Sequence, residues 1–340
     1  MKKTARLFTS FLFTLTIQAQ IGGTATYRFL SLSPSAFQTS LGGKQFVSTG
    51  YDIMQNFGNP ALIDSTQNGI IGLNYANHLT DINYGQAGYV FHLPETGYLF
   101  AGIHYLNYGK FIAADDTGEK TGTFTASESA LYAGYAYRFN ERWSAGLNLK
   151  WIHSVLASYR SEGIAFDLGI SYRHNGNEVA LVFRNAGRQI TTYNGTREAL
   201  PFEIDLTYAK LLEHAPIRLY ITLENLQKPR IAFINTARDQ TDPNGNIQHE
   251  NITIIHHIFR HIITGVEIFP RKRLNLRLGF NFRRAAELGL KDINFSSGFS
   301  AGLGIRLNRF ALHYGYGQYH FAGNTHLIGL NIFLNAKQKN

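Results

Sequence analysis

The chain of 340 residues has no cysteine, two tryptophans, two methionines, and few charges, with Asp, Glu, Lys and Arg together at 16%. Soluble globular chains usually carry about 25%. Without cysteine there is no disulfide scaffold, no thiolate nucleophile and no Cys-ligated metal. Beyond residue 19 no apolar run approaches the roughly 18 residues that a spanning helix needs, which excludes a helical membrane protein. Disordered and coiled-coil chains are excluded as well. What is abundant is glycine (33), phenylalanine (25) and tyrosine (19). Low charge, many glycines and aromatics, and middling hydropathy suit a transmembrane β-barrel, where apolar and polar residues alternate.

The first residues stand apart. Lys2, Lys3 and Arg6 precede a short apolar stretch, Leu7–Ile17, and Ala19 offers a small residue for cleavage before Gln20. Residues 1–19 therefore read as a secretory signal peptide, although Ile17 is a poor residue at −3. Charge is uneven in the remainder: residues 256–340 carry twelve Lys and Arg against three Asp and Glu. Such a basic quarter suits anionic lipid phosphates or an acidic partner; it equally suits arginines lining a lumen or sitting in turns.

From Gly69 onward, period-two alternation recurs. Trp143, Ala145, Leu147, Leu149 and Trp151 share one face, with Ser144, Gly146, Asn148 and Lys150 on the other. The same holds for Ile164–Tyr172, Phe202–Tyr208, Leu274–Phe282 and Phe299–Leu307. These runs reach nine to eleven residues, about the length of a membrane-crossing strand. Fourteen strands are expected, at 69–79, 81–93, 97–110, 123–139, 142–156, 161–173, 178–187, 200–212, 216–226, 259–269, 273–283, 297–307, 309–317 and 325–335. Links after even-numbered strands are all tight. Those after odd-numbered strands are mostly long: 111–122, 188–199, 227–258, 284–296 and 318–324. Short turns at one end and long loops at the other is the outer-membrane pattern. An all-β antiparallel barrel over 69–335 follows, with residues 336–340 as a tail, both termini periplasmic and the long loops extracellular. Residues 20–68 are rich in turn formers and fit no membrane strand. They form either a plug inside a lumen too wide for side chains alone to fill or an ordered periplasmic arm.

Chemistry is sparse. Lys150, Asp167, Arg173, Arg184, Glu203, Asp205, Arg218, Glu224, Glu267, Arg277, Arg283 and Arg306 fall on the lumen face. They suit cross-barrel ion pairing, and alternatively a polar conduit or an acid/base pair. His249, His256, His257 and His261 cluster, and on a strand His257 and His261 would share a face, yet no HExxH helix or placed carboxylate accompanies them. Interfacial or loop positions are expected. Lys120-Thr121-Gly122 lacks its companion Ser-x-x-Lys and Ser-Asp-Asn motifs; His153 and His313 are free candidates for a hydrolase with nothing specific behind them. Tyr105, Tyr108, Tyr137, Phe139, Tyr172, Tyr208, Tyr314, Tyr316 and Tyr319 suit interfacial girdles. No catalytic, cofactor or metal set is assigned, no partner-binding residue is singled out, and nucleic acid has no motif here.

One set of motifs looks familiar. Thr26-Tyr27-Arg28-Phe29-Leu30-Ser31-Leu32, Ser35-Ala36, Leu41-Gly42-Gly43 and Asn59-Pro60-Ala61-Leu62 resemble the start of the PorV/PorQ group of the type IX secretion system, related in architecture to FadL-type barrels. Ile82-Asn83-Tyr84-Gly85, Gly122-Thr123-Phe124, Leu181-Val182-Phe183-Arg184-Asn185, Leu200-Pro201-Phe202-Glu203-Ile204 and His214-Ala215-Pro216 extend the likeness, on the PorQ side of that group. Two departures stand out: Phe37 where the group usually has arginine, and an end at Lys337-Gln338-Lys339-Asn340 in place of an aromatic. The resemblance implies a non-enzymatic barrel in an attachment complex. It would anchor a PorZ-like surface protein beside a PorV-like barrel and a PorU-like sortase. Cargo with C-terminal sorting domains is then processed and attached to lipopolysaccharide. Loops 227–258 and 188–199 are the expected contact surfaces. The competing class is a FadL-like transporter of hydrophobic small molecules, which needs a greasy lumen pocket.

Overall fold

A computed structural model describes residues 25–79, 81–95, 97–233, 240–241, 247–248, 251–288, 296–320 and 323–335. The expected signal peptide and the tail at 336–340 lie outside them. The barrel strands are β1 (Ile70–Leu79), β2 (Ile82–Leu93), β3 (Gly97–Ala114), β4 (Lys120–Arg138), β5 (Trp143–Leu156), β6 (Tyr159–His174), β7 (Asn177–Thr191), β8 (Glu203–Leu211) and β9 (Ile217–Leu223). After a two-residue hairpin, β10 (Gln240–Thr241) with β11 (Ile247–Gln248), come β12 (Ile262–Ile268), β13 (Leu274–Asn281), β14 (Phe299–Arg306), β15 (Phe310–His320) and β16 (Gly323–Phe333). Excluding that hairpin, fourteen antiparallel strands follow one another around a closed barrel, and β1 pairs with β16 from Ile70↔Phe333 to Asn77↔His326. Closure removes every sheet edge.

Alternation decides which side each residue takes. Trp143, Leu147, Leu149 and Trp151 of β5 are exposed on the outer surface, while Asn148 and Lys150 between them are buried in the lumen. Leu274, Leu276 and Leu278 of β13 do the same around buried Asn275 and Arg277. An apolar exterior over a polar interior inverts the soluble arrangement and is the surface of a barrel immersed in lipid.

Several strands differ from expectation, each for a local reason. Strand pairing continues past a bulge between Asn107 and Lys110 into the expected loop 111–122, where Phe111 pairs with Phe124 and their rings stack at 5.1 Å. Strands β3 and β4 therefore meet at a tight tip where Asp115 accepts from the Thr117 and Glu119 amides. Strand β7 runs to Thr191 through a bulge at Asn185, whose backbone is left-handed at φ 58°; the bulge turns Arg184 and Asn185 inward together. Strand β9 ends early because Asn225 is also left-handed, at φ 57°. Residues 254–260, partly expected as strand, form a helix behind a Thr253–His256 capping box. The Asn281 side chain accepts from the Arg284 amide at 2.9 Å, ending β13 and starting the helix Phe282–Glu287.

Residues 25–69 fill the lumen, which decides between plug and periplasmic arm. Phe37, Phe46, Val47, Ile53 and Met54 are wholly buried. Four of the segment's five short helical turns are fixed by a side-chain cap: Ser35 to the Phe37 amide, Asp52 to Met54, Asn59 to Ala61 and Asp64 to Thr66. Asn59 also donates to the Phe46 carbonyl at 2.7 Å and the Ser171 hydroxyl at 3.2 Å. Inward glycines of the wall are the plug's sockets. A Cβ at Gly146, Gly279 or Gly315 would overlap the plug backbone at Pro60, Leu41–Gly42 and Ala36 respectively, so the two backbones touch where side chains are absent. Phe37, which replaces the expected arginine, carries the Arg277 guanidinium 4.3 Å above its ring.

Gly279→Leu should therefore unseat the plug: limited proteolysis in detergent cuts within 25–69 and the melting temperature falls. Gly122→Leu, with open space around it, should leave both unchanged.

Candidate functional site

At the long-loop end, plug and wall leave a cavity of about 690 Å³. Beneath it lies the densest charge cluster among the described residues. Lys44, carried by the plug, reaches Glu203 at 3.0 Å, Glu224 at 3.1 Å and Asp205 at 3.6 Å. Arg184 approaches Glu203 at 3.4 Å, and Arg283 approaches Glu224 at 3.3 Å and Glu287 at 3.9 Å. Burial works against the Lys44 charge, but Asp205, Glu203 and Glu224 outweigh it and hold the ammonium up at about 12. Losing one partner of such a buried group typically costs about 3–5 kcal/mol, because the remaining charges are left uncompensated.

Two matching devices build this cluster. The Asn185 amide donates to Asp167 at 2.8 Å, and the Asn225 amide donates to Asp205 at 2.9 Å. Each left-handed asparagine follows a charged residue, Arg184 or Glu224, which is thereby turned into the lumen. Asp167 in turn pairs with Lys150 at 2.6 Å, and Lys150 donates to the Asn185 side chain.

All the lumen charges expected from alternation have partners. Arg218 and Arg173 share Glu178, at 2.8 and 3.2 Å, and Arg277 meets Glu267 at 3.4 Å. Arg306 lies over the Tyr51 ring at 4.7 Å. The pairs run between strands adjacent or one apart and from wall to plug, not across an open lumen, because the plug occupies the middle. Lys44 and Glu178 are not among the expected charges: the first lies in the segment with no strand period, while Glu178 is the second residue of β7, on the inward parity, and was legible.

Other expectations need correction. Tyr108 and Tyr319 are not girdle residues. Tyr108 shares the parity of inward His104 and Leu106 and donates to Glu128 at 2.6 Å. Tyr319 shares that of Ala311 and His313 and faces Gly43 and Arg284. Tyr105, Tyr137, Phe139 and Tyr208 are exposed outside as expected. His257 and His261 do not share a strand. His257 accepts from the Ala232 amide at 3.0 Å, His261 contacts the Glu224 carbonyl at 2.6 Å, and His256 belongs to the helix cap; His249 lies outside the described residues. No group of three metal-ligating side chains occurs among the described residues. His153 is exposed on the outer face, 3.6 Å from Glu162, and His313 is buried against Arg277 and stacked on Tyr51. The two are not brought together.

The toluene transporter TbuX of Ralstonia pickettii superposes with a TM-score of 0.52 over 89% of this chain and 98% of its own, at 11% identity. The toluene transporter TodX of Pseudomonas putida gives 0.50 over 88% and 96%, at 13% identity. The chain shares the closed barrel fold of these two proteins. A Pseudomonas aeruginosa FadL homologue gives 0.48 at 11% identity, over 88% and 97%. No protein-family model and no curated protein matches the sequence. At these identities the likeness to the first two establishes the barrel fold.

One group at the cavity titrates near neutrality. Burial raises the Glu287 carboxyl, Arg283 and Arg260 pull it down, Glu224 pushes it up, and it stands at about 7. A carboxyl raised above its unfolded value near 4.5 stabilises fully below that value and loses the contribution as pH rises through 7. Glu287→Gln should therefore raise the melting temperature at pH 8 relative to the parent and leave it nearly unchanged at pH 4, read by heat-shifted gel mobility in detergent.

Proposed function

We propose that the chain is a non-enzymatic outer-membrane barrel, plugged from its N-terminal segment, that presents its long loops outside the cell as a docking platform for a surface protein. The tight turns and both ends of the barrel then face the periplasm. The observation that carries this reading is a lumen occupied by residues 25–69, seated on glycine sockets and a buried charge cluster. A barrel so filled works through its rim more readily than through its bore. The PorV/PorQ resemblance supplies the partner: a PorZ-like surface protein, beside a PorV-like barrel and a PorU-like sortase, for attachment of cargo to lipopolysaccharide. That partner set rests on the sequence motifs alone.

A second reading is transport of hydrophobic small molecules, and fold likeness supports it better than it supports attachment, since the two barrels that superpose at 0.52 and 0.50 are toluene transporters. Apolar residues do line part of the cavity, Leu32, Leu200, Phe202, Ile231 and Leu288 among them. The charged floor of Lys44, Glu203 and Glu224 beneath them counts against an apolar cargo, which forms no bond that offsets burying those groups.

Gentle extraction of a tagged copy from native outer membranes, followed by mass spectrometry, separates the two. Docking predicts a large surface protein that is lost when 235–248 is replaced by a short Gly/Ser link while the barrel still assembles. A lone barrel that accelerates toluene entry into proteoliposomes contradicts docking and establishes transport.

A further inference from the structure

We propose that the cavity at the long-loop end is a binding site for an oxyanion, the carboxylate or phosphate group of a small molecule, gripped by the guanidinium of Arg284. The inference stands apart from both readings above. Arg284 lines the cavity and is 7% exposed. Its Nε and Nη2 atoms have no hydrogen-bond partner, and Nη1 makes one long bond of 3.4 Å to the Gln318 carbonyl. Among the described residues no carboxylate lies within ion-pair distance of it, whereas Lys44 and Arg283 in the same cavity each hold glutamates. A buried guanidinium with two free N–H edges is expensive unless something arrives to meet it. A planar oxyanion does so best, because it takes two parallel N–H bonds from the fork.

The surroundings agree. The Arg284 guanidinium is braced over the Tyr319 ring at 4.5 Å, and the Tyr319 hydroxyl stands beside it with no well-formed hydrogen bond of its own. Glycine at 43 keeps that hydroxyl open, since a Cβ there would lie 2.7 Å from it. A second donor thus stands beside the fork. The cavity lining carries five cationic side chains, Arg28, Lys44, Lys228, Arg283 and Arg284, against Glu203, Glu224 and Glu287, so an anion entering meets a net positive field. The volume of about 690 Å³ is that of a site for a small organic molecule. The oxyanion is then one end of the ligand, with the apolar wall beside it.

The test uses the full-length barrel in non-ionic detergent at low ionic strength, titrated with inorganic phosphate and with acetate by calorimetry and by ³¹P line broadening. Saturable binding at millimolar or lower concentration is expected, weakened at least tenfold in Arg284→Gln, less in Arg284→Lys, and several-fold in Tyr319→Phe. Phosphatidic acid in mixed micelles, competed against inorganic phosphate, separates a lipid headgroup from a free solute as the source; tighter binding of either supports the site. Folding of each variant is checked by heat-shifted gel mobility, and Tyr319→Phe, which keeps every charge, decides the case if Arg284→Gln does not fold. Absence of saturable binding by either anion to the parent, or unchanged affinity in a folded Arg284 or Tyr319 variant, overturns the proposal.

Discussion

The Lys44 ammonium, buried among Glu203, Glu224 and Asp205, is the interaction on which the arrangement of the lumen turns. The three carboxylates belong to the wall around β8 and β9, where Arg184 and Arg283 offset two of their charges, and without a third cation one charge is left uncompensated in a low-dielectric interior. The plug supplies that cation. Seating Lys44 fixes Gly42 and Gly43 beside the cavity and brings the helix Ala36–Ser40 against β14 and β15. The wall is therefore electrostatically complete only with the plug in place.

Shape reinforces charge. Inward glycines let plug backbone approach strand backbone, and inward asparagines and serines then bond across the gap: Asn148 donates to the Asn56 carbonyl, Ser144 to Ala61, and Asn331 to Asp52. Each bond satisfies a polar group that the lumen would otherwise leave dry. A polar interior is usually taken as the sign of a water-filled channel. Here the same polarity is absorbed by protein, and the open space among plug and loops includes the cavity beside Arg284.

How much of this was legible follows from which residues carry it. Period-two alternation shows every strand of the barrel, because lipid on one side and lumen on the other impose opposite chemistry on adjacent residues. Strand ends were less legible: the bulge at Asn185 and the left-handed Asn225 interrupt parity with a residue type that also occurs in turns. The aromatic continuation at Phe111 and Phe124 was present in the sequence and reads as strand in retrospect. Tyr108 and Tyr319 were assigned by residue type when their parity already pointed inward. The charge cluster was half legible. Arg184, Glu203, Asp205 and Glu224 follow from alternation, but Lys44, the common partner of the three carboxylates, sits about 160 to 180 residues upstream in a segment without period, and no spacing rule connects them. Arg284 was hidden differently, since its position at the start of a helix after β13 depends on the Asn281 cap.

The central claim is that the plug closes the bore. Single-channel recording in planar bilayers tests it most directly. The intact barrel should give no steady conductance, and a variant lacking residues 25–67 should give large, stable steps. A steady open conductance from the intact protein would contradict the account.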